Sequence, residues 1–309
     1  MDEESKNMLL YTLYFILFLL GLCVGSFLNV LIYRLETGGS AIFNVGRSDF
    51  SRRSDLQKLG RARYARSYCP RCGKTLRWYD LIPVLSFVFL RGRCRYCDKK
   101  ISWQYPMVEI STALIFLLIS KLPITNYQLL FSLLFYFYIA SVLIIIFVYD
   151  LKHYIIPDKV LFPAIAISIM YYVLSIMQAG SHTLYFILNT LYNYFGSAII
   201  ASGLFFLLVL ISKGRWMGVG DVKLAFLMGL VLGWPNILVA LFLAFALGAI
   251  VGLSLILTSR VLGKQFSGYL RARYSLKSQI TFGPFLIFGT FTALFWGSRI
   301  INWYLGLLF

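Results

Sequence analysis

The chain has 309 residues, of which 60% are hydrophobic, 17% aromatic and only 13% charged. This composition excludes an ordinary soluble domain and also a disordered chain. The formal net charge of +17 fits nucleic-acid binding, attraction to acidic lipid or the asymmetric loops of a membrane protein, so the positions of the charges must decide among these.

Long apolar segments dominate the chain. Eight can be counted, at about 8–33, 106–120, 127–149, 159–178, 184–211, 222–233, 236–258 and 280–308, and a spanning helix needs about 20 apolar residues, so the second and sixth are short. None alternates as a β-barrel strand would, which leaves helices to satisfy the backbone in lipid. We therefore expect an all-α polytopic membrane protein with about eight transmembrane helices. The acidic start does not predict a cleavable signal peptide.

Basic residues divide the connections between these segments into two sets. Segment 34–100 carries sixteen Lys and Arg against five Asp and Glu, and the connections near Lys152, Lys213 and Arg271 are basic too. The alternate connections contain a single Lys or Arg residue, Lys121. Positive loops stay in the cytoplasm, which predicts a multi-pass membrane protein with both termini outside.

The basic tract Arg47–Arg66 is rich in Ser, Arg and Gly and has few aromatic residues. Nucleic-acid binding would need aromatic side chains for base stacking among the basic residues. No nucleic-acid partner is therefore predicted, and the tract is instead expected to be attracted to anionic lipid. The lipid bilayer is a predicted partner; no oligomeric state is predicted.

Four cysteines form two C-x-x-C pairs, Cys69/Cys72 and Cys94/Cys97, separated by twenty-one residues. Four thiolates around Zn²⁺ make a closed structural site, because no position is left for water. A cytoplasmic zinc-binding loop is therefore predicted. The apolar stretch Asp80–Gly92 between the pairs could pack against the metal knuckles or lie on the membrane surface. Cys23, alone in the first apolar segment, is interpreted as a packing residue.

Two carboxylates lie at predicted membrane boundaries on the same side. Asp150 ends the third apolar segment, where the helix dipole disfavours an anion, and acidic groups at membrane depth are commonly functional. Asp221 follows Gly218 and Gly220, which permit a close backbone approach. It could also simply cap the next helix or pair with Lys223.

Two carboxylates that share one proton can perform aspartic-protease chemistry. One activates water and the other protonates the departing amide nitrogen, and the pair titrates as a unit. Asp158, after Pro157, has a simpler interpretation as a helix N-cap. Ion transport is disfavoured because the midplane parts of the segments carry no Asp, Glu, Lys or Arg.

The chain resembles the bacterial type IV prepilin peptidases, the bifunctional leader peptidase/N-methyltransferases, over nearly its whole length. The matching stretches are Gly25–Arg34, Arg66–Gly73, Ile82–Ser86, Arg91–Cys97, Tyr105–Glu109, Asp150 with Ile156–Asp158, Gly218–Leu224 and Gly283–Phe285. The resemblance implies three regions: a first transmembrane helix at 1–33, a zinc-binding and methyltransferase loop at 34–105, and a seven-helix membrane peptidase core at 106–309.

The resemblance also implies the activity. Asp150 and Asp221 look like the catalytic pair of the G-x-G-D aspartic peptidases, with active-site support from Gly218, Gly220, Lys223, Pro157, Asp158 and Pro284. The implied substrates are prepilins or pseudopilins of type IV pilus or type II secretion systems, whose basic leader is cut after a glycine at the cytoplasmic membrane face. The new N-terminal residue is then methylated with S-adenosylmethionine.

Residues for the methyl transfer follow from the resemblance alone, because the chain has no glycine-rich dinucleotide fingerprint. Gly92 corresponds to a family glycine implicated in methyl transfer, and the plausible neighbours in a cofactor-binding site are Glu109, Asn29 and Arg34. Glu109 could instead be a favourable carboxylate in the first turn of a helix. Gly21 and Gly25 are interpreted as a helix-packing face.

Three stretches depart from the family pattern without touching the peptidase motifs: Glu36, Ala65 and the insert 38–63. Two alternatives to the bifunctional enzyme remain. The chain could be a peptidase only, with a structural zinc loop, or a non-enzymatic membrane adaptor with a zinc ribbon.

Overall fold

A computed structural model describes residues 3–43, 67–69, 71–122, 129–178, 184–215, 217–262 and 281–308. The expectations for Arg47–Arg66, Ala65, most of the insert 38–63 and the basic connection at 263–280 lie outside these residues. The secondary structure of the described chain is helical, apart from two isolated β-bridges. An all-α fold is therefore confirmed.

Ten α-helices follow one another along the described chain, and a 3₁₀ turn at Trp78–Leu81 precedes the second. They are α1 (Glu3–Phe43), α2 (Leu85–Phe89), α3 (Gln104–Ile119), α4 (Leu129–His153), α5 (Asp158–Gln178), α6 (Leu184–Thr190), α7 (Ser197–Ser212), α8 (Val219–Leu232), α9 (Asn236–Leu262) and α10 (Gly283–Leu308). A π-helical turn, Leu191–Gly196, joins α6 to α7 without a break.

Six stretches of the described helices are long and apolar enough to cross a membrane, which makes the chain an integral membrane protein. They are Asn7–Glu36, Leu130–His153, Asp158–Met177, Ile187–Ser212, Asn236–Ser254 and Gly283–Leu307. The two short segments of the sequence became α3, with 16 residues, and α8, with 14 residues. At 1.5 Å per residue α8 is roughly 21 Å long, less than the hydrocarbon core of about 30 Å. The predicted count of eight spans is thus supported only for six.

The chain divides into two compact units, Met1–Ile145 and Ile146–Phe309. In the first unit, α1 packs closely on α3. A Cβ added to Gly21 would come within 2.5 Å of Ala113 Cα, and one added to Gly25 within 2.6 Å of Glu109 Cα. These glycines let two backbones touch, as the packing-face interpretation requires.

In the second unit, α8 forms the centre of the core. From Leu224 to Leu232 it is buried at every position but one. A Cβ on Gly229 would overlap the backbone of Ala198 in α7. The hydroxyls of Ser197 and Tyr172 donate to the Gly229 and Leu230 carbonyls, at 2.8 and 2.6 Å. The short helix is therefore held by its neighbours rather than by lipid.

Candidate functional site

Asp150 lies in the last turn of α4 and is 4% exposed. A helix C-terminus repels an anion, so the buried carboxylate needs a compensating partner. That partner is the start of α10, where the backbone N–H of Gly283 donates to the Asp150 carboxylate. A Cβ on Gly283 would overlap Asp150 Oδ2. The N-terminal end of one helix thus offsets the unfavourable C-terminal end of another.

Asp221 is the third residue of α8, and Gly218 is the N-cap of that helix. The Asp221 carboxylate accepts a hydrogen bond from the Gly218 N–H, as a capping carboxylate does at this position. Burial nevertheless raises the pKa of Asp221 to about 6, and the nearby charge of Asp150 adds to this rise, while the Gly218 N–H acts in the opposite direction. Asp221 therefore has a capping contact and also an electrostatic interaction with Asp150.

The two carboxyl groups have the requirements of a proton-sharing pair. Both are at least partly buried, and they interact electrostatically. Mutual repulsion disfavours the state in which both carboxyl groups are ionised, so the pair can hold one proton on one group while the other is an anion. Such a pair supplies an acid and a base together.

Gly220 and Gly218 differ in what surrounds them. A Cβ on Gly220 would lie 3.3 Å from Ile156 Cβ, in the connection between α4 and α5, whereas one on Gly218 would meet only the Gly220 nitrogen at 3.9 Å. Neither glycine has a positive φ. The close approach expected of the glycines therefore belongs to Gly220, and it brings the start of α8 near the chain that follows Asp150.

Lys223 pairs with Asp158, not with Asp221. Its Nζ lies 2.8 Å from Asp158 Oδ1 and 5.0 Å from the centre of the Phe162 ring. Asp158 is the first residue of α5, one position after Pro157, whose carbonyl accepts the first helical hydrogen bonds. The predicted N-cap role of Asp158 is wrong, because Asp158 is the first residue inside α5. The alternative Lys223–Asp221 pair is also wrong, because Lys223 pairs with Asp158 and so connects α8 to α5.

Pro284 is buried in the first turn of α10, next to the glycine that contacts Asp150. Its missing N–H costs nothing at this position, since the first N–H groups of a helix have no partner within the helix. Gly283 itself, and Ile156, were not among the residues predicted for the site. The sequence motif at Gly283–Phe285 marked the place, but only packing between helices could identify the contact.

The four paired cysteines come together in the first unit. Their sulfurs all lie within 4.8 Å of one another, and Cys69 Sγ is 4.0 Å from Cys97 Sγ. Tetrahedral Zn²⁺ with bonds of about 2.3 Å to sulfur requires sulfurs roughly 3.8 Å apart. The cluster therefore fits a metal ion such as zinc.

The two cysteine pairs are built in the same way. In each, the backbone N–H of the first cysteine donates to a carbonyl five residues on, Cys69 to Lys74 and Cys94 to Lys99. The residue after the second cysteine has a positive φ: Gly73 in one knuckle and Asp98 in the other. A Gly or a small polar residue such as Asp is suited to this left-handed conformation.

The stretch between the cysteine pairs contacts the second knuckle through Asp80. Arg95 donates to Asp80 Oδ1 at 2.9 Å, and the Asp80 side chain is 1% exposed. The Arg77 N–H donates to the other oxygen of the same carboxylate. Of the two alternatives for the stretch Asp80–Gly92, packing against the cysteine pairs is therefore correct for its first residue.

Asn29 and Glu109 make hydrogen bonds within the first unit. Asn29 Nδ2 donates to the Gly25 and Tyr105 carbonyls, and Gln104 Nε2 lies 3.5 Å from Asn29 Oδ1. Glu109 Oε2 accepts the Val84 N–H at 2.7 Å. Glu109 is the sixth residue of α3, so its predicted position in the first turn is wrong. These two side chains hold α1, α3 and the start of α2 together.

Gly92 has a φ of +67° and follows Arg91, whose φ is also positive. It lines a cavity of about 570 Å³ between α2 and the start of α3. Val84, the residue held by Glu109, lines the same cavity, but Asn29 and Arg34 do not. Arg34 is exposed on α1. The four residues predicted for S-adenosylmethionine therefore do not line one cavity.

The cavity does not suit S-adenosylmethionine. Three cations, Arg91, Arg93 and Lys100, line it, and no carboxylate does. A sulfonium cation with a ribose would be opposed by this charge and would find no acidic partner. The lining of this cavity therefore does not fit the cofactor.

Comparison with known proteins identifies two family regions. The Bacterial Peptidase A24 N-terminal domain matches residues 19–122, and the Type IV leader peptidase family matches residues 137–253. No solved structure matches the chain.

Curated relatives match along nearly the whole length and are named prepilin leader peptidase/N-methyltransferase. One from Legionella pneumophila is 33% identical over 298 residues, 95% of either chain. One from Aeromonas salmonicida is 31% identical over 299 residues, 95% of this chain and 94% of the relative. One from Bacillus subtilis is 30% identical over 243 residues, 78% of this chain and 85% of the relative. Since this similarity spans both the cysteine loop and the aspartate motifs, the chain belongs to the type IV leader peptidase family and is an enzyme.

Proposed function

We propose that this chain is an aspartic endopeptidase that removes the basic leader of type IV prepilins or pseudopilins at the cytoplasmic face of the membrane, and that it then methylates the new N-terminal residue. The observation that carries the first half is the pair of carboxyl groups, Asp150 and Asp221, which interact electrostatically at two helix ends. Family membership supplies the leader peptide as substrate.

The cleavage uses the proton that the pair shares. The ionised carboxylate takes a proton from water, which attacks the peptide carbonyl, and the protonated carboxyl donates its proton to the departing amide nitrogen. The Gly283 N–H holds Asp150 in place for this exchange. Because the two groups titrate together, neither role belongs permanently to one residue.

The cytoplasmic location rests on the distribution of Lys and Arg. Both aspartates border connections of the basic set, and positive connections stay inside. The membrane is the bacterial inner membrane, and both termini lie outside. A basic leader would then reach the pair from the side on which it is synthesised.

The cysteine cluster would hold one Zn²⁺ with four thiolates. Such a site is closed to water, so the ion would stabilise the loop without taking part in either reaction. Cys69, Cys72, Cys94 and Cys97 are the ligands.

The methyl transfer is proposed from the names of the relatives. S-adenosylmethionine would supply the methyl group. A peptidase without this second activity is the alternative. Gly92, Glu109, Asn29 and Arg34 remain the predicted residues to test.

One experiment tests both halves. The purified full chain is incubated with a prepilin-like peptide, with and without S-adenosylmethionine, and the products are weighed by mass spectrometry. We expect loss of the leader in both reactions, and the added mass of one methyl group only with the cofactor. Cut but unmethylated product would support the peptidase-only alternative.

Variants identify the residues responsible. Asp150→Ala and Asp221→Ala should each abolish cleavage, whereas Glu4→Gln, which changes an exposed carboxylate in α1, should cleave normally. Unchanged processing by both alanine variants would contradict the proposal and favour a non-enzymatic adaptor.

A further inference from the structure

The short helix α2 has an apolar face that nothing in the described chain covers. Leu85, Val88 and Phe89 are spaced so that they share one side of the helix, and all three are exposed, Phe89 to 80%. No residue of α2 is buried. An exposed apolar patch of this kind marks a contact with another molecule or with lipid.

This face continues onto α3 across the cavity beside Gly92. Val88 of α2 and Ile110 of α3 both line the cavity, together with Trp103, which is 70% exposed. Met107, Ile110 and Leu114 are exposed at helical spacing along α3. Because α3 is apolar and belongs to a membrane protein, this stripe is a surface suited to acyl chains, and α2 extends it beyond the helix start.

Positive charge borders the same surface. Arg91, Arg93 and Lys100 line the cavity. Arg93 pairs with Asp98 at 2.9 Å, whereas Arg91 and Lys100 make no ion pair within the described residues. Tryptophan beside cations, at the junction of apolar and polar surface, is typical of the headgroup level of a bilayer.

Charge decides which occupant the cavity suits. Its lining is apolar except for cations, so a ligand needs an anionic group attached to a long apolar part. A phospholipid with net negative charge has both, whereas a soluble anion lacks the apolar part.

We propose that α2, Trp103 and the start of α3 form a binding site for one anionic phospholipid of the surrounding bilayer. Its phosphate lies against Arg91 and Lys100, and an acyl chain follows Met107, Ile110 and Leu114. The apolar face of α2 lies in the membrane interface, and the positive-φ turn at Gly92 directs the chain away from it. The site is independent of the peptidase chemistry.

Lipid retention measures this directly. The full chain is purified in detergent with phosphatidylglycerol or phosphatidylcholine, exchanged into lipid-free detergent, and examined by native mass spectrometry. We expect one retained phosphatidylglycerol and no retained phosphatidylcholine. In Arg91→Ala/Lys100→Ala, phosphatidylglycerol binding should weaken roughly 30-fold, because each cation near an anionic headgroup contributes about a fivefold factor.

The matched control is Lys159→Ala/Arg215→Ala, which removes two exposed cations from connections predicted on the same side of the membrane. It should retain the lipid. Phe89→Ser should also reduce retention, through the apolar part of the site. Zinc content and leader cleavage, measured for every variant, report whether each is folded.

Three results would overturn the proposal. Equal phosphatidylglycerol retention in the wild type and in the Arg91/Lys100 variant would show that the cavity does not hold this lipid. Loss of S-adenosylmethionine binding in that variant, with lipid retention unchanged, would assign the cavity to the cofactor. Competition by inorganic phosphate alone, without any effect of lipid, would also contradict it.

Discussion

The cysteine loop and the aspartate pair obtain their geometry in different ways. Each cysteine pair is arranged by its own neighbours, through one backbone hydrogen bond and one positive-φ residue, repeated at Gly73 and Asp98. The aspartates lie 71 positions apart (221 minus 150), and each depends on another part of the second unit. A metal site can therefore be encoded locally, whereas the geometry of this aspartate pair depends on how helices pack.

The largest expected effect tests the locally encoded site, the cysteine cluster. Cys94→Ser should reduce bound zinc from about one ion per chain to almost none, because a tetrahedral structural site requires all four thiolates. Metal analysis and limited trypsin digestion of the loop measure the result. Cys23→Ser, at an exposed position of α1, is the control and should keep its zinc. Full zinc in Cys94→Ser would mean that the cluster is not the metal site.

The next largest effect tests whether packing between helices positions Asp150. Gly283→Ala places a Cβ where Asp150 Oδ2 lies, so the carboxylate must move. A displacement near 1 Å lowers kcat by roughly 100-fold. Gly252→Ala, in α9, meets nothing within 4 Å and should leave kcat unchanged. Equal activities of the two variants would show that the contact with Gly283 does not position Asp150.

The pH dependence comes from Asp221. Its pKa is raised to about 6, so the shared proton is lost as the pH rises through this value, and both carboxylates are then ionised. We expect kcat/KM of the free enzyme to fall above about pH 6. A rate that stays constant to strongly alkaline pH would exclude Asp221 as the proton carrier.

The same shift affects stability with a defined sign. A carboxyl group whose pKa is higher in the folded state than in the unfolded state binds more protons when the protein is folded. The free energy of unfolding therefore falls as the pH rises from the unfolded-state pKa to the folded-state pKa of about 6. Asp221→Asn should therefore raise the Tm at neutral pH while abolishing cleavage. A lower Tm would indicate that the carboxylate is mainly a helix cap.

The smallest effects concern the supporting residues. Gly220→Ala brings a Cβ within 3.3 Å of Ile156, so the neighbouring atoms must move by a few tenths of an ångström. We expect kcat to fall by roughly threefold to tenfold, because this displacement is smaller than the one of about 1 Å expected for Gly283→Ala. Gly218→Ala, with open space around it, is the matched control. If both variants lose activity equally, the close approach at Gly220 is not the reason for the glycine.

Removal of the Lys223–Asp158 ion pair should change stability least. Its side chains are 31% and 55% exposed, and exposed pairs contribute about 0.2–1 kcal/mol. Lys223→Met should therefore lower the Tm slightly. A loss of cleavage beyond this stability change would mean that the pair also positions α8.

Features encoded by neighbouring residues were predictable from the sequence. The all-α fold, the cysteine cluster and the packing glycines Gly21 and Gly25 follow from composition and short spacings, and the structure confirms them. Asp150 and Asp221 were singled out because an acidic residue at an apolar boundary is unusual. The nearby charge of Asp150 contributes to the raised pKa of Asp221, and their role as a catalytic pair stays a prediction.

Features that depend on distant parts of the chain were not predictable. The Gly283 N–H reaches Asp150 from the last helix, and Lys223 finds Asp158 instead of its neighbour Asp221. Likewise, Glu109 holds Val84, whose φ is +59°. The sequence marked the sixth apolar segment as short, but it did not show that other helices surround α8. Hydropathy records burial but not whether lipid or protein provides it.

The burial of α8 fixes the depth of Asp221. At the opposite end of this helix, Gly229 touches Ala198 and two hydroxyls bind the last carbonyls. A slide by one residue, about 1.5 Å along the axis, would break all of these contacts. The contacts at the far end of α8 thus fix the position of the Asp221 carboxylate along the helix axis, eight residues and roughly 12 Å away. The depth of Asp221 is therefore set by contacts within the protein and not by the thickness of the surrounding bilayer.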